Sequence, residues 1–122
     1  MHKKLRYSGI MQQTELIKGT LQTIILKLLS DHKRMYGYEI TQKVKEISGG
    51  DLILTEGALY PTLHKLVAEG YLLTDTEKTG KRVRKYYRLT NQGYKIAISK
   101  VDEFIEFVRM MSQILQIKPE FS

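Results

Sequence analysis

The chain has 122 residues, 42% of them hydrophobic and 27% charged, which suits one ordinary domain with enough apolar side chains to form a core. It has no cysteine, which excludes a disulfide framework, thiolate metal sites and cysteine nucleophiles, and no apolar run approaches the roughly 18–20 residues of a membrane span. The formal net charge of +7 points to a polyanionic partner, either nucleic acid or an anionic membrane face.

Residues 1–13 include His2, Lys3, Lys4 and Arg6, show no firm periodicity and lack the apolar middle of a signal peptide. They read as a loose basic arm, and the expected location is the cytoplasm. Ile17, Leu21, Ile24, Ile25 and Leu28 then recur at spacings of three and four, predicting a first helix over residues 14–30. Tyr36, Ile40, Val44 and Ile47 repeat the pattern in a second helix, which Ser48-Gly49-Gly50 ends because glycine readily adopts the left-handed conformation of a helix terminus. Tyr36 is assigned to the core and Tyr38 to a phosphate contact. Leu52-Ile53-Leu54 is too short for a helix and is expected to pair as a strand with a later hairpin.

Thr55 suits the N-cap of a third helix, with Glu56 in its first turn, where a carboxylate favours the helix dipole. Leu59, Leu63, Leu66 and Val67 face one way and Gly70 closes the element. Pro61 conflicts with this reading, since an interior proline costs ~3 kcal/mol and would favour a start at Tyr60. From Tyr71 to Glu77 and from Val83 to Leu89 the chain is rich in strand formers, with Lys78-Thr79-Gly80-Lys81 as the turn. Alternation places Arg82, Arg84, Tyr86 and Arg88 on one face of this ribbon and Val83, Lys85, Tyr87 and Leu89 on the other, the better face for packing. Between Lys78 and Arg88 lie six basic residues and no acid, in a chain that carries 13 acids elsewhere.

Thr90 can cap a last helix carrying Tyr94, Ile98, Val101, Ile105, Val108 and Leu115 at heptad-like positions, with a second stripe of Ala97, Phe104 and Met111 beside them. That band is too wide for one neighbour, so the helix is expected to pack on its own domain and on a second copy. Val101, Phe104 and Val108, with Met111, either line a hydrophobic effector pocket between subunits or fill ordinary core.

The order of elements suggests a mainly α chain with a small β wing: a winged helix-turn-helix over residues 14–89 and a long dimerisation helix and tail over 90–122. In that motif one helix enters the major groove while basic groups neutralise phosphates. Lysine and arginine on the wing suit phosphates, the alternative being a solvated ribbon. Tyr60, His64 and Lys65 either reach bases and phosphates or form plain helix surface, with Tyr60 packed on the second helix. Catalysis has little support: His2, His32 and His64 are scattered, no metal-ligand or triad spacing occurs, and Thr79-Gly80-Lys81 lacks the rest of a phosphate loop. No cofactor is expected. A winged-helix module that meets an acidic protein and binds no DNA is the alternative.

The segments LKLL, YGYEI, TEGALYPTLHKLVAEGYL and GKRVRKYYRLTNQG, in that order across residues 16–93, resemble the PadR family of bacterial transcriptional regulators. The final helix is similar in length and pattern to the short members with a single long helix there. The resemblance implies a dimeric repressor of double-stranded operator DNA, with a continuous third helix in which Pro61 is tolerated. Thr55, Gly57, Ala58, Tyr60, Pro61 and Lys65 fall on the family's third-helix positions, and Arg82, Arg84, Lys85 and Tyr86 on its wing. With Tyr38, His64 and Lys81 these form the expected DNA-contact set. The resemblance also implies release from DNA by a small aromatic or drug-like effector near the C-terminal helix. Phe104 falls where similar relatives can carry a pocket aromatic, although the chain has no tryptophan.

Overall fold

The computed structural model describes residues 15–118, so the basic arm expected at 1–13 lies outside the described residues. The elements run α1 (Glu15–Asp31), β1 (Met35–Tyr36), α2 (Gly37–Ile47), α3 (Glu56–Ala68), β2 (Leu72–Thr79), β3 (Arg82–Leu89) and α4 (Asn91–Leu115). Helix α1 is central because its apolar band is broader than a single stripe. Leu26 and Leu29 join Leu21, Ile25 and Leu28 in the core, and Ile25, Leu26 and Leu29 are fully buried. A helix so widely covered needs several partners, and α1 meets α3, α4 and β3.

Helix α2 begins where the backbone N–H of Tyr36 donates to Glu39 Oε1 at 3.1 Å, and it ends through Gly49 and Gly50, both left-handed at φ 63° and 88°. Ile40 and Val44 face the core as expected. Ile47 does not: it is 70% exposed, because the helix terminates just beyond it and turns its last residue to solvent.

Helix α3 starts at the expected cap, where the Thr55 hydroxyl accepts from the Ala58 N–H at 3.3 Å. It runs unbroken through Pro61. The carbonyl deprived of its donor is that of Gly57, an exposed residue in the second helical position, which water can reach. Burial of Leu59, Leu63 and Leu66, each worth about 1.5–3 kcal/mol, outweighs a proline cost of ~3 kcal/mol. Gly70, at φ 84°, closes the helix while the Tyr71 N–H donates to the Leu66 carbonyl at 3.0 Å.

The sheet has the order β1-β3-β2 and is antiparallel throughout, with Met35 opposite Tyr87, Tyr36 opposite Tyr86, Leu72 opposite Leu89 and Thr79 opposite Arg82. The third strand is therefore Met35–Tyr36, where the sequence suggested residues 52–54. Leu52 forms only a one-residue bridge, and Leu54 instead inserts its side chain into the core on the way to the α3 cap. Tyr36 also departs from its core assignment. Met35 occupies the core, and the half-buried Tyr36 ring lies on the other sheet face. On β3, Tyr87 and Leu89 are buried while Val83 and Lys85 on the same face are exposed, so the predicted packing face packs only in the half nearer the body of the domain. Burial pushes the Tyr87 phenol above its ordinary value, with a smaller contribution from nearby Tyr60.

Thr90 ties the wing to α4. Its hydroxyl accepts from the Gly93 N–H at 2.9 Å and donates to the Gly70 carbonyl at 2.8 Å, while its own N–H reaches the Tyr71 carbonyl at 3.0 Å. The first turn of α4 sits so close to this loop that a Cβ on Gly93 would collide with the Tyr71 carbonyl and press on Leu89. Gly93→Ala is therefore expected to destabilise the fold by about 1–3 kcal/mol, read as a lower urea midpoint with an unchanged slope. A wild-type midpoint would show that the α4 start is not packed as described.

Candidate nucleic-acid interface

The outer side of α3 is available to a ligand. Thr55, Glu56, Gly57, Pro61, His64 and Lys65 are exposed, and Ala58 is half-buried. Nothing lies within 4 Å of a Cβ built on Gly57 and its φ is not positive, so neither packing nor backbone conformation requires glycine there. The missing side chain leaves the first turn flat enough for close approach by another molecule. Tyr60 has a different surrounding. It is half-buried, and its hydroxyl rests against Gly37, the first residue of α2, where no Cβ fits. This is the packed alternative weighed for Tyr60, and it sets how closely α2 and α3 approach. Its ring lies 6.4 Å from that of exposed His64. Tyr38, in the first turn of α2, is 62% exposed.

The wing changes the meaning of the basic block. Cross-strand pairing brings two acids of β2 onto the arginine face, with Asp75 opposite Tyr86 and Glu77 opposite Arg84. Asp75 accepts from Arg88 Nε at 2.9 Å, and Glu77 accepts from Arg34, a residue of the loop before β1. The Arg34 guanidinium also lies 4.0 Å from the Tyr86 ring centre. Tyr86 meets Tyr36 edge-on at 5.4 Å, and Arg84 covers Tyr36 at 4.4 Å. Arg84 and Tyr86, both expected at DNA, thus belong to an intramolecular stack. Hydrogen bonding to Glu77, ahead of the carboxylate's charge, raises the Arg34 pKa above its ordinary value.

Besides Arg84, which lies on Tyr36, four wing cations form no ion pair with an acid among the described residues. Arg82 lies on the arginine face, Lys78 and Lys85 on the opposite face, and Lys81 in the two-residue turn, where Gly80 has φ 64° as such a turn demands. All four are exposed, so positive charge surrounds the tip.

Helix α4 leaves large apolar side chains exposed on more than one of its sides. Ile98, Phe104, Ile105, Phe107, Met110 and Ile114 are between 40% and 66% exposed, and Phe104 and Phe107 have ring centres 6.3 Å apart. An open groove of about 650 Å³ is lined by Phe104, Ile105, Val108, Arg109, Ser112, Gln113 and Ile117. Two of the three expected effector residues, Phe104 and Val108, line it, whereas half-buried Val101 does not. Met111 is half-buried and Leu115 exposed. Ala97 was grouped with the dimerisation stripe but is only 3% exposed, packed in the chain's own core. Among the described residues no group of three or more acids, histidines or cysteines is placed to hold a metal ion.

The model of the PadR-like transcriptional regulator family matches residues 25–97, from the middle of α1 through the wing to the start of α4. The chain belongs to the PadR-like family of transcriptional regulators. It is 32% identical over 110 residues to an uncharacterised protein of Lysinibacillus sphaericus, covering 87% of this chain and 97% of that one. It is 33% identical over 79 residues to transcriptional regulator Rv3488 of Mycobacterium tuberculosis, covering 65% and 70%. A solved transcriptional regulator from Clostridium thermocellum shares 28% identity at a TM-score of 0.73, over 84% of this chain and 96% of the other. PadR regulators bind DNA, and the family, the Mycobacterium relative and the Clostridium structure are regulators of transcription rather than enzymes. Among the described residues no helix is long and apolar enough to cross a membrane.

Within this PadR chain, Arg34 escaped the sequence reading because its partners Glu77 and Tyr86 are distant in sequence and no local pattern marks it. Phe107, Met110 and Ile114 left a signal: with Phe104 they form a stripe at spacings of three and four.

Proposed function

We propose that two copies of this chain pair along α4 and repress transcription by laying α3 into successive major grooves of a palindromic operator, with the wing tips on flanking phosphates. The observation that carries the DNA contact is the cluster of four exposed cations around the wing tip that have no acid partner among the described residues. They neutralise phosphates, while Thr55, Gly57, Pro61, His64 and Lys65 on α3 approach base edges and backbone. Half-sites about one helical turn apart, roughly 34–36 Å, follow from two-fold pairing. Binding through so many phosphates depends steeply on salt. In duplexes selected by the protein from a random pool, Lys81→Ala with Arg82→Ala is expected to flatten the log–log salt slope by about 1.8, since each phosphate contact contributes about 0.9. A slope equal to wild type would contradict the wing's role.

Pairing along α4 is supported by the large apolar side chains it leaves exposed, Ile98, Phe104, Ile105, Phe107, Met110 and Ile114, since such exposure marks an interaction surface. The groove beside Phe104 and Val108 would then lie near the pairing surface. A small hydrophobic effector seated there favours one spacing of the two wings over another and so releases DNA. The wild type is expected to sediment at twice its 14.2 kDa chain mass and Ile105→Glu at the chain mass. Planar apolar compounds should raise the wild-type Tm and lower its DNA affinity. A monomeric wild type sinks the pairing, and compounds without effect on either quantity sink the effector.

A further inference from the structure

Beyond its pairing with β1, the wing is a two-stranded ribbon. Strand β1 has only two residues, which face Tyr86 and Tyr87, so from residue 85 to the tip β3 has β2 as its sole neighbour. Two-stranded ribbons are marginal by themselves. The exposed cations Lys78, Lys81, Arg82 and Lys85 all lie in this unsupported part.

One side chain reaches past the end of the sheet. Arg34 leaves the loop before β1, donates to Glu77 on β2 and lies 4.0 Å from the ring centre of Tyr86 on β3. Glu77 stands opposite Arg84, two residues nearer the tip than the last residue that β1 supports. Arg84 in turn lies on Tyr36, which belongs to β1 and begins α2. The contacts therefore engage both ribbon strands from a single point on the body of the domain. On the opposite face Val83 and Lys85 are exposed, and the one ring contact there among the described residues, Lys85 over Tyr87 at 5.9 Å, stays within β3.

We propose that Arg34 is a positioning residue: it straps both strands of the wing to the domain through Glu77 and Tyr86 and so sets where the tip cations meet DNA. The second half of this statement rests on the proposed DNA reading, whereas the strap itself does not. A planar guanidinium suits the task because it hydrogen-bonds at its edge and stacks through its face at once, which an ammonium does not do.

Hydrogen exchange on the free full-length protein tests the strap without DNA. Arg34→Ala is expected to speed exchange of the wing amides at 76–79 and 82–85 by roughly three- to tenfold, as loss of one exposed cation–π contact and ion pair implies, and Glu77→Gln, which removes only the ion pair, by a smaller factor of roughly two to three. Amides of α1 and α3 should be unchanged, and Arg34→Lys should fall between wild type and Arg34→Ala. Wing exchange at the wild-type rate in both Arg34→Ala and Glu77→Gln would overturn the strap. Salt titrations with a duplex selected from a random pool test its consequence. Arg34→Ala should bind more weakly at every salt concentration along a line parallel to wild type, whereas a slope smaller by about 0.9 would make Arg34 a phosphate ligand and overturn the positioning role. If wild type binds no duplex, the DNA reading fails while the exchange result still decides the strap.

Discussion

The alternation of buried and exposed side chains along β3 joins the two halves of this molecule. Tyr87 and Leu89 sit in the same core as α1 and α3, so Arg84, Tyr86 and Arg88 must project from the opposite face. A slip of one residue would bring Arg88 and Tyr86 inward, burying an arginine in an apolar cluster and stripping the core of two large side chains. The core thereby dictates which way the wing's arginine face points. Thr90 extends the same constraint to α4, because the residue that follows the sheet caps that helix and holds it against the loop at Gly70 and Tyr71.

Charge on the wing is sorted by this register. Asp75 and Glu77 fall on the arginine face only because β2 and β3 pair as they do, and they occupy Arg88 and Arg34 near the body of the domain. Farther out no acid follows, and the remaining cations are exposed. An exposed ion pair contributes only about 0–1 kcal/mol to stability, so the value of these pairs lies more in geometry than in energy. Unpaired charge collects at the tip, while the base of the wing is tied down.

Much of this was legible because it depends on local periodicity. The stripes of α1 and α3, the caps at Thr55 and Thr90, the turn at Gly80 and the inward face of β3 all follow from spacing and residue type. Recognition of the family also rested on contiguous segments, and the matched model spans residues 25–97. What escaped was non-local or too short. A two-residue strand has no period, so Met35–Tyr36 could not be told from the start of α2, and residues 52–54 looked the better strand by composition alone. Tyr36 was assigned by helical phase, but it precedes the helix and obeys the alternation of the sheet instead. The two acids on the wing face are visible in sequence, yet their pairing with Arg34 and Arg88 requires the register.

The most direct test of the central claim, that the exposed side of α3 and the cationic wing tip meet one duplex while the exposed apolar residues of α4 do not, is amide shift mapping with the selected operator. On titration, the account predicts the largest changes at residues 55–57, 61, 64–65 and 78–85, with the exposed positions of α4 near their free values. Changes concentrated along α4, with the wing tip unaffected, would contradict it.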